Sequence, residues 1–170
     1  MRTYTPIILV LTLTLLTGTL FVNSCERQEP QQERQQFAKI NEGQTTPELA
    51  EYMQYIGGYL HKLSLSVQAR NPDLADFYMH ELQASVLAVK QDVPGYEGYD
   101  IAYFTELLLD SQIDSLRTTL KTRDWDAIRA RINTTVNSCN TCHNATGHGF
   151  VQVTAGFDKN PYNQVFEPKP

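Results

Sequence analysis

The stretch from Trp125 to His143, WDAIRARINTTVNSCNTCH, decides how the chain is to be read. Trp125, Ile128, Ile132, Val136, Cys139 and His143 recur at intervals of three and four, so they share one stripe of an α-helix. The helix closes on two cysteines separated by two residues and followed at once by histidine, the pattern of covalent c-type haem attachment. In that chemistry Cys139 and Cys142 bond the two vinyl groups of one haem c, and His143 is the proximal iron ligand. Because the cysteine and histidine lie on the apolar stripe, the haem is expected against a helical interior.

Two other uses of a Cys-x-x-Cys pair are weaker. A zinc site needs further Cys or His ligands at workable spacing. Only His143 and His148 are near, and there is no second cysteine pair. A thioredoxin-type dithiol expects alternating strands and helices around it, and nothing in the chain reads as strand. No internal repeat and no nucleotide-binding glycine motif is visible.

The other end of the chain fits the same chemistry. Met1-Arg2 leads into an uncharged apolar run from Ile7 to Val22, the form of a secretory signal. Val22-Asn23-Ser24-Cys25 resembles the site cut by lipoprotein signal peptidase, which implies a signal peptide over 1–24 and a lipid anchor on Cys25. Covalent haem attachment takes place outside the bacterial cytoplasm, so the location expected is the periplasmic side of a membrane. The three cysteines are then assigned, one to lipid and two to haem, with none left for a disulfide. Removing residues 1–24 takes away Arg2 and no acid, leaving 13 basic against 19 acidic side chains, a net −6. That balance excludes nucleic acid as partner and favours a redox partner protein with a basic face. Residues 25–45, rich in Gln, Glu and Arg, cannot bury a core and read as a flexible tether.

From residue 46 onward the pattern is helical and the fold class expected is all-α. Thr45-x-x-Glu48 resembles a capping box opening a first helix with Leu49, Met53, Ile56, Leu60, Leu63 and Val67 on its seam. Gly57-Gly58 interrupts it at a cost of about 1 kcal/mol per glycine against alanine, a cost expected where something bulky approaches the backbone. Asn71-Pro72 caps a second helix carrying Ala75, Met79, Leu82, Val86, Val89 and Val93. Asp100 caps a third, with Phe104, Leu108 or Leu109, Ile113, Leu116 and Leu120 inward, and Asp124 caps the fourth. Four helices joined by short connections predict an antiparallel up-down-up-down bundle over 46–146. Residues 147–170 lose the periodicity yet keep Phe150, Val151, Val153, Phe157, Tyr162 and Phe166. This irregular tail is expected to fold back over the bundle end near the haem.

Residues Thr46–Ala145, with a single CxxCH at the end of the last helix, resemble the cytochrome c′ family and its six-coordinate relatives. Met53-Gln54-Tyr55-Ile56-Gly57 resembles that family's first-helix Met-x-x-x-Gly, whose methionine binds iron in the six-coordinate members. The chain departs from the family at Thr146 and Gly147, where members carry an aromatic and a basic residue, and in its long tail. Counting along antiparallel helices also favours Met53 as the distal group. It stands roughly 9 Å into the first helix, beside the end of the fourth, whereas His61 lies about 12 Å further along and Met79 and His80 near the opposite end. Ile56, Gly57, Val86, Val89, Phe104 and Val136 are the residues expected to wall the haem. The function this implies is single-electron transfer by a membrane-tethered monohaem cytochrome, not an enzyme. The alternative is a five-coordinate haem, with Met53 only covering its distal face, that binds nitric oxide or carbon monoxide. Monomer and homodimer both stay open.

Overall fold

The structure, a computed structural model, describes residues 48–169. The signal-like run, Cys25, the tether and Thr45 lie outside the described residues. Helix dominates the rest, in α1 (Leu49–Gln68), α2 (Pro72–Asp92), α3 (Ile101–Thr105), α4 (Ser111–Leu120) and α5 (Trp125–Ala145). A π-helical stretch, Glu106–Asp110, joins α3 to α4 without a break, so these segments form four rods. Each rod packs on its sequence neighbour, and α5 closes back on α1. Among the described residues no helix is long and apolar enough to cross a membrane.

Local chemistry sets most of the boundaries. Asn71 Oδ1 accepts from the Leu74 amide at 3.1 Å, Asp100 Oδ1 from Tyr103 at 2.9 Å and Asp124 Oδ1 from Ala127 at 3.1 Å. Each satisfies one of the orphan amides of a first helical turn. The start of α1 differs from the capping-box expectation. Glu48 is itself the N-cap, extended at ψ 157° and making no side-chain cap bond, so it cannot be the third helical residue that the box requires. Its backbone carbonyl instead opens the helix by accepting from the Glu51 amide at 2.9 Å.

Two connections also differ from expectation. Between α2 and α3 a short hairpin pairs β1 (Gly95–Tyr96) with β2 (Tyr99–Asp100), in a segment whose sequence reads as strandless. Glu97 and Gly98, at φ 49° and 84°, form its two-residue turn, and paired left-handed residues are what a type I′ hairpin demands. In the third rod the buried residues are Ile101, Thr105, Leu109, Ile113, Leu116 and Leu120. The first three intervals are four residues each, overshooting the α-helical period by about 40° apiece. The π-helical stretch, with its wider turn, absorbs that drift. Thr105 therefore faces inward where Phe104 was expected.

The tail covers more ground than the end of the molecule. Asn140 on α5 clasps the Val153 backbone, donating from Nδ2 to the carbonyl at 3.0 Å and accepting from the amide at 2.8 Å. Farther on, His61 Nε2 donates to the Gly156 carbonyl at 2.9 Å, and the Tyr162 hydroxyl donates to His61 Nδ1 at 3.1 Å. The chain then reaches the α1–α2 turn, where Asn71 Nδ2 donates to the Phe166 carbonyl at 2.9 Å and the Phe166 ring is buried. It is a strap along the helices, not a cover over one end.

The core is closed at that far end. Leu63, Leu82, Leu116, Leu120, Ile128 and Ile132 are each no more than 2% exposed. At the other end a cavity stands between the rods.

Candidate haem site

The last turns of α5 carry Cys139, Cys142 and His143 into a cavity of about 410 Å³. Ligand pockets run from about 300 to 1,000 Å³. The first half of α1 forms the facing wall with Leu49, Met53, Ile56 and Gly57, while Ile101, Thr105 and Leu109 of the third rod form the floor. Met53, Ile56, Gly57, Cys139, Cys142 and His143 are thus brought together as the sequence pattern expects. Val86, Val89 and Val136 are buried in the core but do not line the cavity, being taken up by contacts between helices. Phe104 is half-buried and also off the cavity, turned away by the phase of the third rod.

Gly57 bears on what the cavity is for. A Cβ added there would meet no protein atom within 4 Å, and the same holds at Gly58. Nothing of the chain itself approaches this backbone, so the bulky neighbour expected from the sequence is not another helix. The bare backbone of Gly57 borders the cavity.

His143 is held in one tautomer. Its Nδ1 lies 2.8 Å from the Val151 carbonyl, which only accepts, so Nδ1 carries a hydrogen and in the neutral ring Nε2 keeps the lone pair. A second partner of this kind is what fixes the ring of a metal-bound histidine and raises its basicity. The backbone that supplies it follows from the end of α5. The His148 amide donates to the His143 carbonyl at 2.7 Å and the Gly147 amide to the Asn144 carbonyl at 3.4 Å, a Schellman ending with Gly147 left-handed at φ 76°. A Cβ on Gly147 would also come within 3.0 Å of the Tyr99 hydroxyl. The reversal brings His148, Val151 and Val153 to the cavity, and the Asn140 clasp on Val153 pins them there.

The thiols are poor nucleophiles as free groups. Burial, and next the neighbouring Cys142, push the Cys139 thiol up to about 11, and burial also raises Cys142. Redox dithiols are activated by the opposite environment, a helix N-terminus or nearby cation. Here the pair sits at the C-terminal end of α5, where the helix dipole disfavours an anion. Among the described residues no three His, Cys, Asp or Glu side chains gather in a way that could hold a metal ion. The donor set, cavity and bare glycine fit a haem bonded to Cys139 and Cys142 and ligated by His143.

Several residues of the site were not assigned to it from the sequence, Ile101, Thr105, Leu109, Val151 and Val153 of the lining among them, and two carry polar contacts. Asn140 occupies a variable position of the CxxCH pattern, where nothing marks it as a clasp. His148 reads as a tail residue, yet it lines the cavity with Nδ1 donating to the Thr146 carbonyl at 2.7 Å and Nε2 lying 3.6 Å from Glu97 Oε2. His61 is spent on the strap. No family model, no curated protein and no solved structure matches this chain.

Proposed function

We propose that this chain is a monohaem c-type cytochrome that carries single electrons, built as an antiparallel up-down-up-down four-helix bundle of the cytochrome c′-like kind. One observation carries the reading: both cysteines, His143 with its Nε2 free, and Met53 line the same apolar cavity beside a glycine with no neighbour. When bound, the haem supplies the one-electron couple. Cys139 and Cys142 would tether it, and His143 and Met53 would supply the side chains that hold its iron. Leu49, Ile56, Ile101 and Leu109 exclude water. A histidine–methionine pair raises the reduction potential over other axial sets. Upstream, Cys25 carries lipid, residues 25–45 form the tether, and the cytochrome faces the periplasm.

The test is a haem stain after denaturing electrophoresis, followed by optical spectra in both oxidation states. Covalent haem, a low-spin spectrum and a methionine–iron charge-transfer band that Met53→Ala removes are the expected results. Absence of covalent haem overturns the reading. The space beside Gly57 favours one second reading, a five-coordinate haem protein that binds nitric oxide or carbon monoxide. It requires a high-spin ferric spectrum that Met53→Ala leaves nearly unchanged.

A further inference from the structure

The peptide that holds His143 is also surface. Val151, whose carbonyl accepts from His143 Nδ1 at 2.8 Å, is 44% exposed, and Phe150 beside it is 81% exposed. The Phe150 ring centroid lies 5.8 Å from that of His148, which lies 6.0 Å from that of Tyr96. Tyr96 is 38% exposed and, like His148 and Val151, borders the cavity. An aromatic and aliphatic patch thus stands at the cavity mouth, one hydrogen bond and one residue from the proximal ligand. Exposed apolar groups of this kind gathered at a site mark an interaction surface.

The charges around it are one-sided. Among the described residues, the segments meeting at this end (48–57, 86–110 and 136–153) carry Glu48, Glu51, Asp92, Glu97, Asp100 and Glu106. Their one Lys or Arg is Lys90, and it is held by Asp110 at 2.5 Å. Glu97 foremost, with burial and Glu48 adding, raises the Tyr96 hydroxyl above its usual range, so the acids act on the patch itself. The opposite end mixes signs: Arg123 pairs with Asp76 at 3.0 Å, and the helix ends there carry Arg70, Arg129 and Arg131 as well as Asp73 and Asp126. A second copy of this chain would set acids against acids across the mouth, whereas a basic face meets both the charge and the patch.

Resting on the electron-carrier reading, we infer that the surface formed by Tyr96, His148, Phe150 and Val151, ringed by Glu48 and Glu97, is where a basic one-electron redox protein docks. Each productive encounter passes one electron between the reduced and oxidised partners, with no bond made or broken.

The test uses the reduced haem-loaded protein and two small oxidants, the tris(phenanthroline)cobalt(III) cation, which is aromatic, and the ferricyanide anion. Each takes up one electron and leaves the protein oxidised. The cation's rate constant is expected to fall as salt rises and the anion's to rise. Glu48→Gln with Glu97→Gln is expected to slow the cation about three- to tenfold at low salt. The same charge change at the far end, Asp73→Asn with Asp126→Asn, is expected to leave it within about twofold. Phe150→Ser, at a side chain almost wholly in solvent, is expected to slow the cation without changing its salt dependence. Equal effects from the two pairs of charge variants in protein that still carries haem overturn the docking surface and leave the carrier reading standing. Self-association that Phe150→Ser abolishes overturns it in favour of a dimer face. Absence of covalent haem overturns both.

Discussion

The two ends of the helical rods are built from the same residue types and finish differently. At the far end Leu63, Leu82, Leu116, Ile128 and Ile132 interdigitate with at most 1% of their surface exposed. At the near end the same helices present Leu49, Met53, Gly57 and Thr105, and a cavity of about 410 Å³ stands between them. Native interiors are close-packed, and unfilled space weakens them by removing contact partners. The residues bordering the cavity therefore have fewer contact partners than those of the far end. The strap spans both: near the cavity it clasps backbone at Val153, and at the far end it seals the core with Phe166.

The largest expected effect tests that contrast directly. If the proposed haem is attached, Cys139→Ser with Cys142→Ser abolishes the covalent haem stain altogether and leaves the near end loosely packed, seen as faster amide exchange in α5 beyond Val136 than before Ile132. Next, Leu63→Ala at the closed end costs about 2–5 kcal/mol in urea unfolding. Met53→Ala at the open end, where the side chain is only half-buried, costs about 1 kcal/mol. Equal costs at the two positions would erase the distinction between the ends. Asn140→Ala breaks two hydrogen bonds to the Val153 backbone and costs about 1–3 kcal/mol. It also loosens the Val151 carbonyl from His143 Nδ1, so the haem spectrum shifts, whereas a clasp with a purely structural role would leave the spectrum alone.

The smallest effect is a pH dependence at the open end. The Tyr52 hydroxyl donates to Asp92 Oδ2 at 2.5 Å, joining the start of α1 to the end of α2, and that hydrogen bond foremost pushes the phenol up to about 12. An unfolded tyrosine ionises near 10. The folded state therefore keeps its proton longer, so the bond's contribution is complete below about pH 10 and is lost as pH rises towards 12. Between those limits the urea midpoint of the parent chain is expected to fall more steeply than that of Tyr52→Phe. Parallel curves would remove this tie between the helices.

Features written in adjacent residues are the ones the sequence reading places well. The caps at Asn71, Asp100 and Asp124 lie where a short polar side chain precedes a helical run, since the donor is three residues away. The last helix ends at Ala145, where the apolar period stops before Gly147. The third rod is placed correctly as an element but not in phase, because a π-helical stretch depends on which side of the rod the neighbours bury. Phe104 and Thr105 are equally plausible inward residues until α2 and α5 are packed against them. The same cause moves Val86, Val89 and Val136 from cavity wall to core.

By itself the sequence determined that Cys139, Cys142 and His143 stand within about one helical turn of each other, since their spacing needs no tertiary contact. It also determined the helical character of the chain and the placing of Met53 on the facing stripe. Only the tertiary structure decided the strap's path and with it the state of the histidine. Beyond the Asn140 clasp, four bonds that lay the strap down join residues 86 to 101 positions apart, among them Tyr78 to Gln164 and His61 to Tyr162. No local propensity encodes a pairing at that separation. The Val151 carbonyl reaches His143 because Gly147 turns the chain and Asn140 holds it, and both conditions exist only once the helices have assembled.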